Sequence, residues 1–334
     1  METVRAAIVG LGRIASLLED DKRREKPCTH AGAIAANPNC TLVGGCDINE
    51  ERRNLFSERW GVPVYEETAE MIRLQNPQIL VIATHPDSHY FYCRLAADFK
   101  LPLVICEKPL ADKLSAARKI AALAAEGLTI ITNHERRYSA DYIKAKEILA
   151  SKRLGQLQSV RAALYMGKNK RLLDVLWHDG THLIDAIMFL TGGSLKHRRR
   201  FGAKLDSSAG TAWLEGELTG LSSTPVPVLI EIGAGRDHLV FEMEFSCSQG
   251  RQRIGNGLFE VWESAECPYA EKFRSLELKD EKANRRFVEG PTGYFANMIA
   301  DAVSCVREQG RQPVSSAADG LKVIKYLHTI KSWR

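Results

Sequence analysis

The 334-residue chain has eight cysteines, at positions 28, 40, 46, 93, 106, 247, 267 and 305, but no C-x-x-C pair. That absence excludes the paired-thiolate signatures of a structural zinc site and of a thioredoxin-like redox motif. Cys40, Cys46 and Cys106 fall in apolar strand-like runs, where a thiol behaves as a small hydrophobe. The expectation is therefore free thiols, no disulfide framework and a reducing, cytoplasmic compartment. No apolar run approaches the roughly 20 residues that cross a bilayer, so no membrane partner is expected. The start, "METVRAAIVGLGRIA", lacks the cationic lead and long apolar core of a signal peptide. Charge of one sign is scarce as well: 46 basic and 41 acidic residues leave a net +5. Such an excess is compatible with anionic substrates but carries no nucleic-acid-binding signature. Internal repeats and low-complexity tracts are absent.

What is present divides in two. Residues 1–133 alternate short apolar strands with helical stretches. "RAAIVG" (5–10), "CTLVGGCD" (40–47), "QILVIAT" (78–84), "LPLVICE" (101–107) and "LTIITN" (128–133) read as strands, and "SAARKIAALAAEG" (115–127) as a helix closed by glycine. Strands apolar on both faces and separated by helices predict a parallel sheet covered on both sides. From 134 to 334 the pattern changes. "SVRAALYMG", "TAWLEGELTG", "VPVLIEIGAG", "HLVFEMEFSC" and "GLFEVWES" follow one another across short turns, which predicts a mostly antiparallel sheet with a 178–191 helix on one face. Helical "YFANMIADAVSCVREQG" and "SAADGLKVIKYLHTIKSWR" close the chain.

"AIVGLGRIA" (7–15) reads G-x-G-x-x-A after a strand and ahead of a helical pattern. Gly10 permits a tight turn, Gly12 a close approach of backbone to a pyrophosphate, and Ala15 close helix–strand packing; Arg13 and Ile14 lie in the same turn. The expectation is a dinucleotide-binding Rossmann domain. Asp47 ends the second strand, where an acid accepts ribose hydroxyls and repels a 2′-phosphate, favouring NAD over NADP; as a bland alternative it caps the next helix. Asp47 lies 35 residues beyond Gly12, against the usual separation of about 20. The excess is assigned to the polar insertion "EDDKRREKPCTH" (19–30), read as an inert surface loop in preference to a lid.

Glu-Lys-Pro occurs at 25–27, read as a solvated loop, and at 107–109, where Lys108 leaves the carboxyl end of a buried strand, the ligand-binding edge of open α/β sheets. The ordered series "AIVGLGRIA", "ATHPDSHY", "CEKPLA", "NHERRY" and "DGTHLID", with the "FANMIADAVSCVREQGRQPVSSAADGLKVIKYL" ending, resembles the Gfo/Idh/MocA oxidoreductases over nearly the whole chain. The resemblance implies an α/β fold class: a Rossmann domain over 1–133, then an α+β domain over 134–334 with a large, mostly antiparallel open sheet, serving substrate binding and oligomerisation. It also implies a nicotinamide cofactor, a sugar-like small-molecule substrate and a homodimer or homotetramer. Residue by residue, Lys108 matches the family lysine near the nicotinamide and the reacting hydroxyl. Glu107 matches the acid that helps hold the cofactor ribose, and Thr84, His85 and His89 match the loop bordering the cofactor. Arg136 matches an arginine near the active site. The Lys108–Pro109 bond is often cis in relatives.

"WHDGTHLIDAI" (177–187) places His178 and His182 four apart, on one face if helical, with Asp179 and Asp185 beside them. A metal site needs a third ligand, for which Asp185 is a candidate, but there is no HExxH glutamate and the resemblance implies no metal. A polar helix start is the bland reading. In the resemblance His182 is the proton carrier, Asp185 orients it or binds substrate, and His178 stands where many relatives have aspartate, here displaced to Asp179. The favoured reading makes Lys108 and His182 catalytic, with His178, Asp179, Asp185 and Arg136 as substrate contacts. "KHRRR" (196–200) reads as a solvated loop or sheet edge, or else as a phosphate-binding patch. The function implied is hydride transfer between NAD(H) and a hydroxyl/carbonyl pair of a sugar, cyclitol or derivative. The alternatives are NAD-assisted elimination or hydrolysis, and a dinucleotide-sensing regulator without turnover.

Overall fold

Two sheets organise the chain in the computed structural model, which describes residues 2–168, 170–279 and 292–332. Trp333 and Arg334, the last two residues of the expected terminal helix, lie outside them. The first sheet has six parallel strands: β1 (Val4–Val9), β2 (Cys40–Cys46), β3 (Val64–Tyr65), β4 (Ile79–Ile82), β5 (Leu103–Cys106) and β6 (Thr129–Thr132), in the order β3-β2-β1-β4-β5-β6. Five of them coincide with the sequence expectation; the two-residue β3 was too short for a periodicity signal. β4 and β5 are buried along their whole lengths, as strands covered on both faces require.

The covering helices include α1 (His30–Ala36), α2 (Glu50–Trp60), α3 (Thr68–Gln75), α4 (His89–Asp98) and α5 (Leu114–Ala125). Asn49, not Asp47, caps α2, accepting Arg52 N at 2.9 Å, and left-handed Gly61 ends it. Gly127, at φ +113°, follows the C-cap of α5 as expected.

The glycine motif does not run straight into its helix. A short 3-10 turn, Leu17–Asp20, follows it, and the helix proper begins only at His30. Ile14 O accepts His30 N at 3.2 Å and Ala15 O accepts Ala31 N at 3.0 Å. In an uninterrupted helix those places belong to residues 18 and 19, four positions on. Twelve residues are thus looped out and the helix resumes in phase, which accounts for the long Gly12–Asp47 separation. The loop is exposed at residues 20–24 and at Lys26, as expected, but it is tied down by its own hydrogen bonds. Lys26 Nζ donates to Leu18 O (3.1 Å) and Asp21 O (2.9 Å), Thr29 Oγ1 donates to Glu19 Oε2 (2.6 Å), and Glu25 Oε1 accepts Gly293 N (2.8 Å). Cys28 is fully buried within it.

The second sheet has eight strands: β7 (Leu157–Tyr165), β8 (Ser194–Gly202), β9 (Gly210–Thr219), β10 (Val226–Ala234), β11 (Val240–Cys247), β12 (Gly250–Gly255), β13 (Leu258–Glu266) and β14 (Arg274–Lys279). Their order is β14-β13-β12-β11-β7-β10-β9-β8, antiparallel except for the β7–β10 pair. Burial alternates along β9, β10 and β11, so one face is buried and the other half-exposed. Helices α6 (Ala140–Ala150), α7 (Leu172–His178) and α8 (Gly180–Thr191) pack on the sheet. The "KHRRR" run is the edge strand β8, with Arg198 and Arg199 paired to Glu217 and Glu215 on β9. Those pairings occupy two of the three arginines the phosphate-patch reading required.

Compactness divides the chain at three points, against one in the expected 1–133 and 134–334 division. The units are Met1–Tyr138 with Gly293–Ile324, and Ser139–Thr292 with Lys325–Arg334. Helix α9 (Tyr294–Arg307) therefore returns to the first unit, where Phe295, Met298, Ile299 and Ala302 enter the core with Ile8, Val81 and Ile105. Tyr138 Oη donates to Asp301 Oδ2 (3.1 Å), and Arg137 Nη1 meets both Val314 O and Asp319 Oδ2 at 3.1 Å. Helix α10 (Ala317–Ser332) is shared between the units.

Candidate active site

Hydrogen bonding continues one residue past the carboxyl ends of the first sheet and sets five segments in a row. Gly10 N donates to Cys46 O (2.8 Å), Ala83 N to Val9 O (2.9 Å), Glu107 N to Ile82 O (3.0 Å) and Asn133 N to Cys106 O (2.7 Å). The strand order reverses between β1 and β4, so the crevice of an open α/β sheet opens over Gly10 and Ala83. Gly10 has φ +85°, and a Cβ there would sit 2.7 Å from Ala83 O; a Cβ on Gly12 would meet nothing within 4 Å. The first glycine is demanded by the turn, and the second leaves the backbone open to an incoming group. Arg13 is exposed and Ile14 partly buried beside them.

Asp47 is buried and braces this turn. Its Oδ2 accepts Leu11 N at 2.8 Å, its Oδ1 accepts Asn49 N at 2.9 Å, and Arg52 lies 3.7 Å away. Thr84 Oγ1 and Ser88 Oγ share a hydrogen bond of 2.7 Å, with His85 exposed between them. His89 is fully buried, its ring nitrogens 3.2 Å from Thr84 O and 3.3 Å from Leu110 O. Burial lowers its pKa, outweighing those carbonyls. It ties the loop after β4 to the loop after β5 from within the core.

Glu107 collects donors from three directions. His30 Nε2 (2.7 Å) and Asn133 Nδ2 (2.6 Å) meet Oε1, and Lys108 N reaches Oε2 (3.2 Å). Burial alone would raise this carboxyl; His30, Asn133 and Lys108 together hold it below its ordinary range. Lys108 is partly exposed, and its bond to Pro109 is cis, as is Lys26–Pro27. Arg136 and Glu135 lie in the 3-10 turn Glu135–Tyr138 just beyond β6. Burial raises the Glu135 carboxyl against the opposing pull of Arg136 and Lys108. His30, Asn133 and Glu135 were not singled out from sequence. Asn133 and Glu135 stood inside the quoted "NHERRY", whereas His30 was hidden at the end of the insertion.

In the second unit the expected 178–191 helix is α8, which starts two residues later, and a separate helix, α7, precedes it. His178 ends α7, Asp179 forms the break, and α8 begins at Gly180. The two histidines therefore do not share one helical face. His178 is 66% exposed and bonds Asp179 Oδ1 at 3.0 Å, while Lys170 Nζ meets Asp179 Oδ2 at 3.3 Å. His182 and Asp185 are buried on α8, at 8% and 1% exposure. Among the described residues no group of three or more His, Cys, Asp or Glu is arranged to hold a metal, and no helix is long and apolar enough to cross a membrane.

Residues 4–134 match the family model described as an oxidoreductase family with an NAD-binding Rossmann fold. Inositol 2-dehydrogenase of Rubrobacter xylanophilus is 32% identical over 120 residues, covering 35% of this chain and 34% of its own. The chain thus matches about a third of that relative's length. The WlbA dehydrogenase from Bordetella pertussis, solved with NADH and UDP-GlcNAcA, superposes with a TM-score of 0.77 at 18% identity, covering 99% of this chain and 95% of that one. A variant of a 3-ketoreductase from Actinomadura kijaniata, solved with NADP and TDP-benzene, gives 0.73 at 16% identity over 99% and 98%. At these identities the likeness establishes the fold of both sheets.

Proposed function

We propose that the chain, whose residues 4–134 match the Gfo/Idh/MocA oxidoreductase family model, is an NAD(H)-dependent dehydrogenase or reductase acting on a hydroxyl/carbonyl pair of a sugar, cyclitol or sugar derivative. The observation that carries this reading is the Gly10–Gly12 turn braced by Asp47, with Glu107 and Lys108 on the same sheet edge. The substrate class is supported by relatives whose names cite inositol and sugar nucleotides.

In this reading Gly10, Gly12, Arg13 and Ile14 hold the pyrophosphate and Asp47 the adenosine ribose. NAD is preferred because a buried carboxylate disfavours a 2′-phosphate. Thr84 and His85 border the nicotinamide end and Glu107 accepts from its ribose. Buried His89 positions these loops from behind. The cofactor, when bound, supplies the hydride donor or acceptor. Lys108 polarises the reacting oxygen, and His182 exchanges its proton as general acid–base. Asp185, one turn further on α8, orients His182, and Arg136 and Asp179 are assigned to substrate. Exposed His178 contributes contact and no proton transfer.

Single-turnover kinetics on Lys108→Ala and His182→Ala test the chemistry; wild-type rates in both would sink it. Stoichiometric NADH formation separates net oxidation from a redox-neutral elimination or hydrolysis. No stabilisation of the cofactor-free protein by any nicotinamide dinucleotide would remove the premise. We also propose that the half-exposed face of the second sheet mediates a homodimer or homotetramer. Trp213, Tyr165, Trp262 and Arg253 on it are of the types enriched in such interfaces. Light scattering that gives a monomer at micromolar concentration would reject that assignment.

A further inference from the structure

We propose that His30 is a positioning residue that sets Glu107, and through it the nicotinamide end of the cofactor site; this rests on the reading of Glu107 as the acceptor of the cofactor ribose. His30 is fully buried. Its Nε2 lies 2.7 Å from Glu107 Oε1, and its ring stands edge-on to Phe295 with centroids 5.1 Å apart. A carboxylate can only accept, so Nε2 carries the hydrogen.

The division of labour on Glu107 follows from its contacts. Oε1 takes two short donors, His30 Nε2 and Asn133 Nδ2, and is fully engaged. Oε2 takes a single long one, Lys108 N at 3.2 Å. The remaining acceptor capacity therefore lies on the oxygen beside Lys108, where a ribose hydroxyl would be received. Without His30 the carboxylate has fewer donors and a higher desolvation cost, so it both rotates and protonates more readily. The other ionisable groups facing Glu107 are Lys108, Glu135, His89 and Cys106, and none of them donates to Oε1 among the described contacts.

His30 also holds the opposite end of the site. Its backbone N–H bonds Ile14 O in the glycine turn, so one residue registers the pyrophosphate turn against the Glu107–Lys108 loop. The looped-out residues return the chain to helical phase at the position where this double contact is made.

Two readouts test the assignment, one of them independent of any cofactor. In ligand-free protein labelled at glutamate carboxyl carbons, the Glu107 titration is identified by its loss in Glu107→Gln. His30→Phe moves that titration to higher pH, and His30→Gln, which keeps an N–H donor, restores it. The dissociation constant for NADH weakens about tenfold in His30→Phe, increasingly so as pH falls, and stays near wild type in His30→Gln. If His30→Phe does not fold, His30→Met, apolar and adaptable, takes its place. An unmoved Glu107 titration overturns the proposal, as does equal loss of NADH affinity in both variants. A titration that moves in a protein binding no nicotinamide dinucleotide supports the hold on Glu107 and overturns the cofactor reading instead.

Discussion

Asp47 Oδ2 accepts the backbone N–H of Leu11 at 2.8 Å, across 36 residues of sequence, while its Oδ1 accepts Asn49 N at 2.9 Å. One carboxylate thus fixes the glycine turn against the end of β2. Asp47→Ala leaves two N–H groups without that acceptor, an expected cost of about 1–3 kcal/mol. NADH affinity should fall by about tenfold or more, and discrimination against NADPH should narrow. Thermal unfolding and fluorescence titration with both dinucleotides check this. Undiminished NADH affinity in a folded variant would take Asp47 out of the site.

Gly10 and Gly12 should respond differently to the same substitution. Gly10→Ala forces a side chain into φ +85° against Ala83 O, and should destabilise by about 1–3 kcal/mol or more. Gly12→Ala meets no protein atom, so its melting temperature should stay at the wild-type value while dinucleotide affinity drops. Equal melting losses in both variants would contradict this division.

His182 and His178 should separate as sharply in kinetics. His182→Ala is expected to slow the chemical step by about a hundredfold or more, the usual weight of a general acid–base group. His178→Ala, at an exposed helix end, should stay within about threefold of wild type. The reverse ranking in single-turnover rates would move the proton-handling role to α7.

Acid should weaken the first unit in a definable window. Burial lowers the pKa of His89 from its ordinary 6.5. Below pH 6.5 the unfolded chain therefore takes up a proton that the folded state resists, and stability declines as pH falls towards the folded pKa. Glu107, also lowered in the folded state, adds a second loss below its ordinary 4.5. His89→Asn should flatten the limb of a melting-temperature profile that falls below pH 6.5, whatever its effect at neutral pH. An unchanged limb would show that other groups carry it.

Elements with a strong local signature are legible in the sequence. β1, β2, β4, β5 and β6 are continuous apolar runs, and the G-x-G-x-x-A turn stands directly after the first. Strands β8, β12 and β14 carried no comparable apolar signature, because β8 is a polar edge and β12 and β14 are short and charged. The break at Asp179 was equally hidden, since "VLWHDGTHLID" satisfies a helical spacing on both sides of it. Of the candidate site, Asp47, Glu107 and Lys108 could be placed because strand ends lie next to them. His30 could not, because its partner Glu107 is 77 residues away.

By itself the sequence determined the alternation of strand and helix, the change of pattern near residue 134, and the residue types at the sheet edge. Those properties are local, set by burial periodicity and by the conformations glycine and proline allow. Tertiary structure alone decided that twelve residues loop out of the first helix in phase, that α9 returns to the first core, and that His30 closes on Glu107. Each depends on groups distant in sequence meeting in a buried, low-dielectric interior, where a hydrogen bond to a carboxylate is strong and its loss expensive.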